Sequence, residues 1–211
     1  ALQIEYLPSL LEINIDRRKL LRVIKPRTFS EEMKEYIEDK ESIFAKMKNE
    51  LTAMDLSDEF LAIFIKNHVL KSEVENSILK EQFCPQLSLL SELDLSLEGE
   101  RYLYLNYGFY YRLLQDFSMA ETYFEKISDW WDANPVLRRQ KFYLFINGVA
   151  NYLGVLIRSE KYDQVSKIIQ EFDEIDLNNL HERKAAFEKS SNWKMLYYFS
   201  KRDVAPIRDL I

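Results

Sequence analysis

The sequence predicts an all-α protein built from antiparallel helical hairpins. Three observations carry that expectation. Only 4 of 211 residues are Gly and 5 are Pro, about 4% together against roughly 12% in average proteins. Hydrophobic residues make up 47% of the chain and aromatic residues 14%, enough for a core and too much for a disordered segment. Apolar residues recur at three- and four-residue steps over long stretches, the period of a helix. The shortage of turn residues excludes collagen, flexible linkers and most turn-dense β folds, which need a turn roughly every ten residues.

The elements follow in order. Pro8 suits the first turn of a helix over about 9–24, ended by Pro26; Ile4, Tyr6, Ile13 and Ile15 alternate enough to allow short strands there instead. Ser30 is placed to cap a helix over about 30–54, with Glu31 and Glu32 at its positive end. Met33, Ile37, Phe44, Met47, Leu51 and Met54 fall on one stripe of it, with the interval at Lys40 skipped. Ser57 is read as the cap of a second helix, 58–70. Ser72 and Glu75 form a capping box for a third, expected to end before Pro85. Residues 86–99 read as a looser connection, with room for a short helix at 86–92. Further helices are expected at about 100–115, 118–130, 136–158, 161–173 and 182–201, with Ser118 and Glu121 as a second capping box, Pro135 as a helix start and Asn178-Asn179 as a turn.

Charge and cysteine content narrow the function classes. Lys plus Arg is 29 and Asp plus Glu is 35, a net charge of -6. Nucleic-acid affinity rests on neutralising phosphates, so no nucleic-acid partner is expected. One cysteine, Cys84, allows no intrachain disulfide and suits a reducing, cytoplasmic setting. No stretch approaches about 18 uncharged apolar residues, so no membrane insertion is expected. The N-terminus shows neither the basic nor the apolar region of a signal peptide. The absence of an initiator Met and the apolar end at Leu210-Ile211 lead us to expect a piece of a longer protein.

Residues 104–124 carry a repeat pattern. Tyr104, Tyr107, Gly108 and Tyr111 are followed by Phe117, Ala120 and Phe124. The small residues let two antiparallel helices approach, and the aromatics fill the space around them. This resembles the tetratricopeptide repeat, with Tyr in place of the usual Trp and Leu, Ile127 in place of a usual Ala, and the expected Pro displaced to Pro135. A second, degraded unit lies 45 residues on. There Tyr152, Val165, Ile169 and Tyr162 match Tyr107, Ala120, Phe124 and Phe117, and Leu153 stands at the Gly position. Steps of the same size reach the 58–70 helix and the region of Trp193. The resemblance implies a short right-handed α-solenoid, with residues 1–55 as an N-terminal helical cap or docking segment and 56–211 as the helical-repeat domain.

Catalytic patterns are scarce. His68 and His181 are far apart and belong to no zinc motif. No Arg stands four to six residues before either one, against a helical RNase signature. The four glycines form no phosphate loop. Cys84 reads as buried and inert. The carboxylates of Glu31, Glu32, Glu35, Glu38 and Glu41 read as a solvated face. We therefore expect no enzyme, no metal and no cofactor. Two basic groups remain, Arg17-Arg18-Lys19 with Arg22, Lys25 and Arg27, and Arg138-Arg139 with Lys141. The first could contact an acidic partner or an anionic surface.

The densest feature is aromatic, six rings between Tyr102 and Tyr111. The resemblance assigns Tyr104, Tyr107 and Tyr111 to packing. It leaves Tyr102, Asn106, Phe109 and Arg112 on the face that lines the concave groove of such arrays, with Asn147, Asn151, Gly154 and Arg158 in the second unit. Asn amides can bond an extended peptide backbone and Arg can hold a carboxylate. The expected function is a non-enzymatic scaffold binding a protein or peptide through Tyr102, Asn106, Phe109, Arg112, Asn147, Asn151 and Arg158. The other reading is a regulatory or peptide-sensing helical domain of a longer signalling or transcription-regulator protein. Of Trp130-Trp131, one ring is expected under the next hairpin and the other is free to be exposed.

Overall fold

A computed structural model describes residues 7–24, 29–67, 72–177, 179–203 and 205–206. Among these residues there are nine helices and no strand: α1 (Leu7–Ile24), α2 (Phe29–Asn67), α3 (Glu73–Glu92), α4 (Leu97–Leu113), α5 (Phe117–Ala133), α6 (Pro135–Gln140), α7 (Phe142–Arg158), α8 (Tyr162–Asp173) and α9 (Leu180–Ser200). The alternative strand reading of the N-terminus fails where residues are described, since Ile13 and Ile15 lie in α1. Ile4, Tyr6, Pro26 and His68 lie outside the described residues. The chain forms two compact units, Ala1–Phe109 and Tyr110–Ile211, so the division falls within α4, and residue 55 lies inside α2.

In the first unit α1 packs along α2, and α2 along α3. The two helices expected on either side of Ser57 are one 39-residue helix. Ser57 is buried and caps nothing. Its hydroxyl donates to Asn106 Oδ1 at 2.5 Å, and Asn106 Nδ2 donates to the Ala53 carbonyl at 2.8 Å. The polar side chain is thus satisfied inside the helix, and Ala53, Leu56 and Phe60 bury the same face around it. α3 keeps the Ser72–Glu75 capping box but runs through Pro85 to Glu92. The missing N–H removes one helical bond. Leu79, Phe83, Leu87 and Leu90 nevertheless bury one stripe on both sides of the proline, which sits on the exposed face. Cys84 is exposed on that face, contrary to the buried position expected. α2 also anchors the short link to α4: Asn49 donates to the Asp94 carbonyl at 3.0 Å, and Ser96 donates to Glu50 at 2.5 Å.

The second unit is organised by a repeated turn. α4 and α7 are each 17 residues long and start 45 residues apart, as do α5 and α8. Both helix pairs are joined by three residues with one hydrogen-bond pattern. Gln115 N–H donates to Arg112 O and Asp116 N–H to Tyr111 O; Glu160 N–H donates to Ile157 O and Lys161 N–H to Leu156 O. This is the Schellman cap, which needs a left-handed residue at its centre. Gln115 (φ 60°) and Glu160 (φ 58°) supply it without being Gly. α9 ends in the same cap, with Arg202 at φ 58° and Asp203 N–H donating to Tyr198 O.

The turn explains why Ser118 is not a cap. Asp116, the last turn residue, is also the N-cap of α5 and accepts from Met119 N–H at 3.1 Å, so Ser118 is already helical. The single helix expected at 136–158 is broken at Lys141 into α6 and α7. α5 and α7 approach closely at Gly148, where a Cβ would lie 3.3 Å from Trp131 Nε1. Both Trp130 and Trp131 are buried, edge to face at 4.8 Å, so neither is presented to solvent. Rings then run from Phe145 on α7 to Phe172 on α8 (6.2 Å) and on to Trp193 on α9 (4.7 Å).

Two stability measurements check this account. Asn106→Ala removes two buried hydrogen bonds between α4 and α2 and leaves the Ser57 hydroxyl only the Ala53 carbonyl at 3.2 Å, and urea unfolding should show a loss of about 1–3 kcal/mol. Glu160→Gly keeps the turn and removes the left-handed cost of a side chain, so the unfolding free energy from urea titration should rise by about 0.5–1 kcal/mol; a fall would contradict the cap.

Candidate functional site

The seven predicted groove residues divide between the units. In the first, Tyr102 is half-buried with the Arg101 guanidinium 4.3 Å above its ring. Arg101 is buried and pairs with Glu98 at 3.0 Å. Phe109 is buried in the core. Asn106 has no exposed surface, and both ends of its amide are engaged with α2. The expectation that Asn106 and Phe109 face a ligand is therefore corrected: Phe109 is buried, and Asn106 ties α4 to α2. A polar residue spaced like a groove residue was claimed by the neighbouring helix instead.

The other four, Arg112, Asn147, Asn151 and Arg158, lie in the second unit. Asn147, Asn151, Gly154 and Arg158 follow one another at three- and four-residue steps, so they form one stripe along α7. Arg112, from the last turn of α4, lies across that stripe. Its Nη1 donates to Asn151 Oδ1 at 3.2 Å. Its Nη2 fills the space left by the missing side chain of Gly154, where a Cβ would sit 3.5 Å away. Asn147 and Arg158 are exposed, and Asn151 is half-buried. Burial, and secondarily the charge of Arg158, holds the Arg112 guanidinium below its usual pKa. Two guanidinium groups close enough to repel, with amides beside them, favour a ligand that brings negative charge and backbone carbonyls.

Other concavities were not legible in the sequence. Between the end of α8 and α9 lies a cleft of about 410 Å³ floored by Phe172 and Ala186. On its wall Asp173 accepts from Ser190 at 2.5 Å and from Lys194 at 2.6 Å. These groups are far apart in sequence and meet only because the α8–α9 turn folds back. The described residues hold no group of three or more His, Cys, Asp or Glu placed for a metal ion, and His181 is exposed at the start of α9. No described helix is long and apolar enough to cross a membrane.

No protein-family model matches the chain, and neither curated proteins nor solved structures give a match.

One turn after Gly148, and so on the face of α7 turned to α5, Tyr152 gives the unit a pH signature. Burial, followed by the charges of Glu125, Glu121 and Asp129, pushes its phenol up to about 12. The unfolded chain ionises near the ordinary tyrosine value of about 10. Stability from this group is therefore complete below pH 10 and falls as pH rises from about 10 to about 12. Alkaline denaturation of Tyr152→Phe should show a shallower loss over that window than the wild type.

Proposed function

We propose that the chain is a non-enzymatic scaffold that binds a protein or peptide, its hairpins stacked as a short tetratricopeptide-like α-solenoid. The 45-residue recurrence of helix length and turn supports the repeat reading. The observation that carries the binding reading is the stripe of Asn147, Asn151 and Arg158 with Arg112 across it. The bound segment is extended, because side-chain amides one helical turn apart can pair with successive backbone groups of such a chain. It carries a carboxylate, which the two guanidinium groups would hold.

Peptides selected from a random display library on the wild-type chain test the proposal. Their affinities, read by fluorescence polarisation, should fall at least about tenfold in Asn147→Ala/Asn151→Ala and in Arg158→Glu, equivalent to about 1.4 kcal/mol. They should also weaken with added salt. Affinities unchanged in both variants would overturn the groove.

A further inference from the structure

The hairpin of α1 and α2 exposes more apolar surface than its own seam uses. α1 buries Leu7, Asn14 and Leu21 against α2, with Asn14 Nδ2 donating to the Tyr36 carbonyl at 3.1 Å. A second α1 stripe, Leu10, Ile13, Arg17, Leu20 and Ile24, runs at alternating three- and four-residue steps and is exposed throughout, Ile24 at 70%. α2 carries a matching exposed stripe of Lys34, Ile37, Glu41, Phe44, Lys48 and Leu51, with Leu51 at 53%. Steps of this kind form the seam of a left-handed helix pair rather than the broad apolar face that enters a lipid surface. From the seam centre, the α1 stripe is turned by roughly 100° and the α2 stripe by roughly 70° the other way in residue order. In an antiparallel hairpin these stripes emerge on opposite sides, so one hairpin cannot bring them together.

We infer that the α1 stripe of one copy of this chain docks antiparallel on the α2 stripe of a second copy. The register follows from the spacing. Setting Ile13 against Phe44 places Leu20 against Ile37, Arg17 against Glu41, and Leu10 and Ile24 against the aliphatic stems of Lys48 and Lys34. Arg17 and Glu41 have no ion-pair partner among the described residues, and each is exposed at the middle of its stripe. The first part of α2, with Glu35, Glu38, Asp39 and Glu41, is acidic, whereas α1 carries Arg17, Arg18, Lys19 and Arg22. The contact joins two different faces, so it propagates from copy to copy unless a ring closes. One helix–helix seam lies below the roughly 1,200 Å² of a stable interface, so the association is weak and concentration-dependent.

Sedimentation velocity over about 10–500 µM, the range in which a single-seam contact is populated, should show the weight-average mass of the wild type rising above one chain. Arg17→Glu and Glu41→Arg should each weaken association at least tenfold. An equimolar mixture of the two variants, and the double variant, should regain it, with circular dichroism unchanged throughout. A monomeric wild type at the highest concentration overturns the inference. So does association indifferent to both charge reversals, or a monomer that instead binds vesicles of anionic phospholipid.

Discussion

The geometry of the second unit depends on one three-residue turn. Its middle residue is left-handed, its last residue bonds back five positions, and a new helix begins at once. The turn thus sets where the second helix starts. Using Gln115 and Glu160 at positions that favour glycine costs about 1 kcal/mol each. The cost is offset by the packing that follows the turn: Ala120 and Val165 buried at corresponding places, and Tyr111 stacked on Tyr123 at 5.7 Å. Lys161, which ends the second turn, reaches Glu121 at 2.6 Å and ties α8 back to α5. The turn therefore positions the face of α7 on which Arg112 rests.

A second constraint acts in the first unit, where buried polar groups fix helix contacts beside the Phe60–Phe83 ring pair at 4.5 Å. The Ser57–Asn106–Ala53 triangle is enclosed by α2 and α4, and Glu98–Arg101 is buried nearby in the chain on α4. Buried polar groups specify register because any shift leaves one of them unsatisfied. This is why Asn106, with the composition of a ligand contact, serves as a structural one. Its counterpart 45 residues on, Asn151, is half-buried and engages Arg112. Equivalent residues in the two copies of the pattern thus have opposite fates, decided by which helix covers them.

Helix identity was legible because periodicity and punctuation agree: Ser72 with Glu75, and Pro135, mark starts that the structure keeps. Boundaries failed where a residue has two competing uses. Ser57 satisfies itself within a helix as readily as it caps one. Pro85 was tolerated because buried leucines and Phe83 on both sides outweigh one missing hydrogen bond. Asp116 displaced Ser118 as cap because it also closes the preceding turn. The α7 half of the candidate site was readable from spacing alone, as Asn147, Asn151 and Arg158 share a face. The burial of Asn106 and Phe109 was not; that of Asn106 is set by Ser57 and Ala53 of α2, a contact with no local sequence signature. Nor was Gly148 readable as a contact point, because its meaning comes from Trp131 on another helix.

The chain thus combines stiff turns, a polar-locked core and a cationic stripe, and the binding role rests on that stripe being the surface a ligand meets. Side-chain amide and arginine NMR shifts, followed as a selected peptide is titrated into the labelled chain, test this most directly. The account predicts saturable shifts concentrated at Arg112, Asn147, Asn151 and Arg158, with the Asn106 amide unmoved. Shifts that bypass this stripe and concentrate elsewhere, as around Asp173, Arg183 and Lys194, would contradict it.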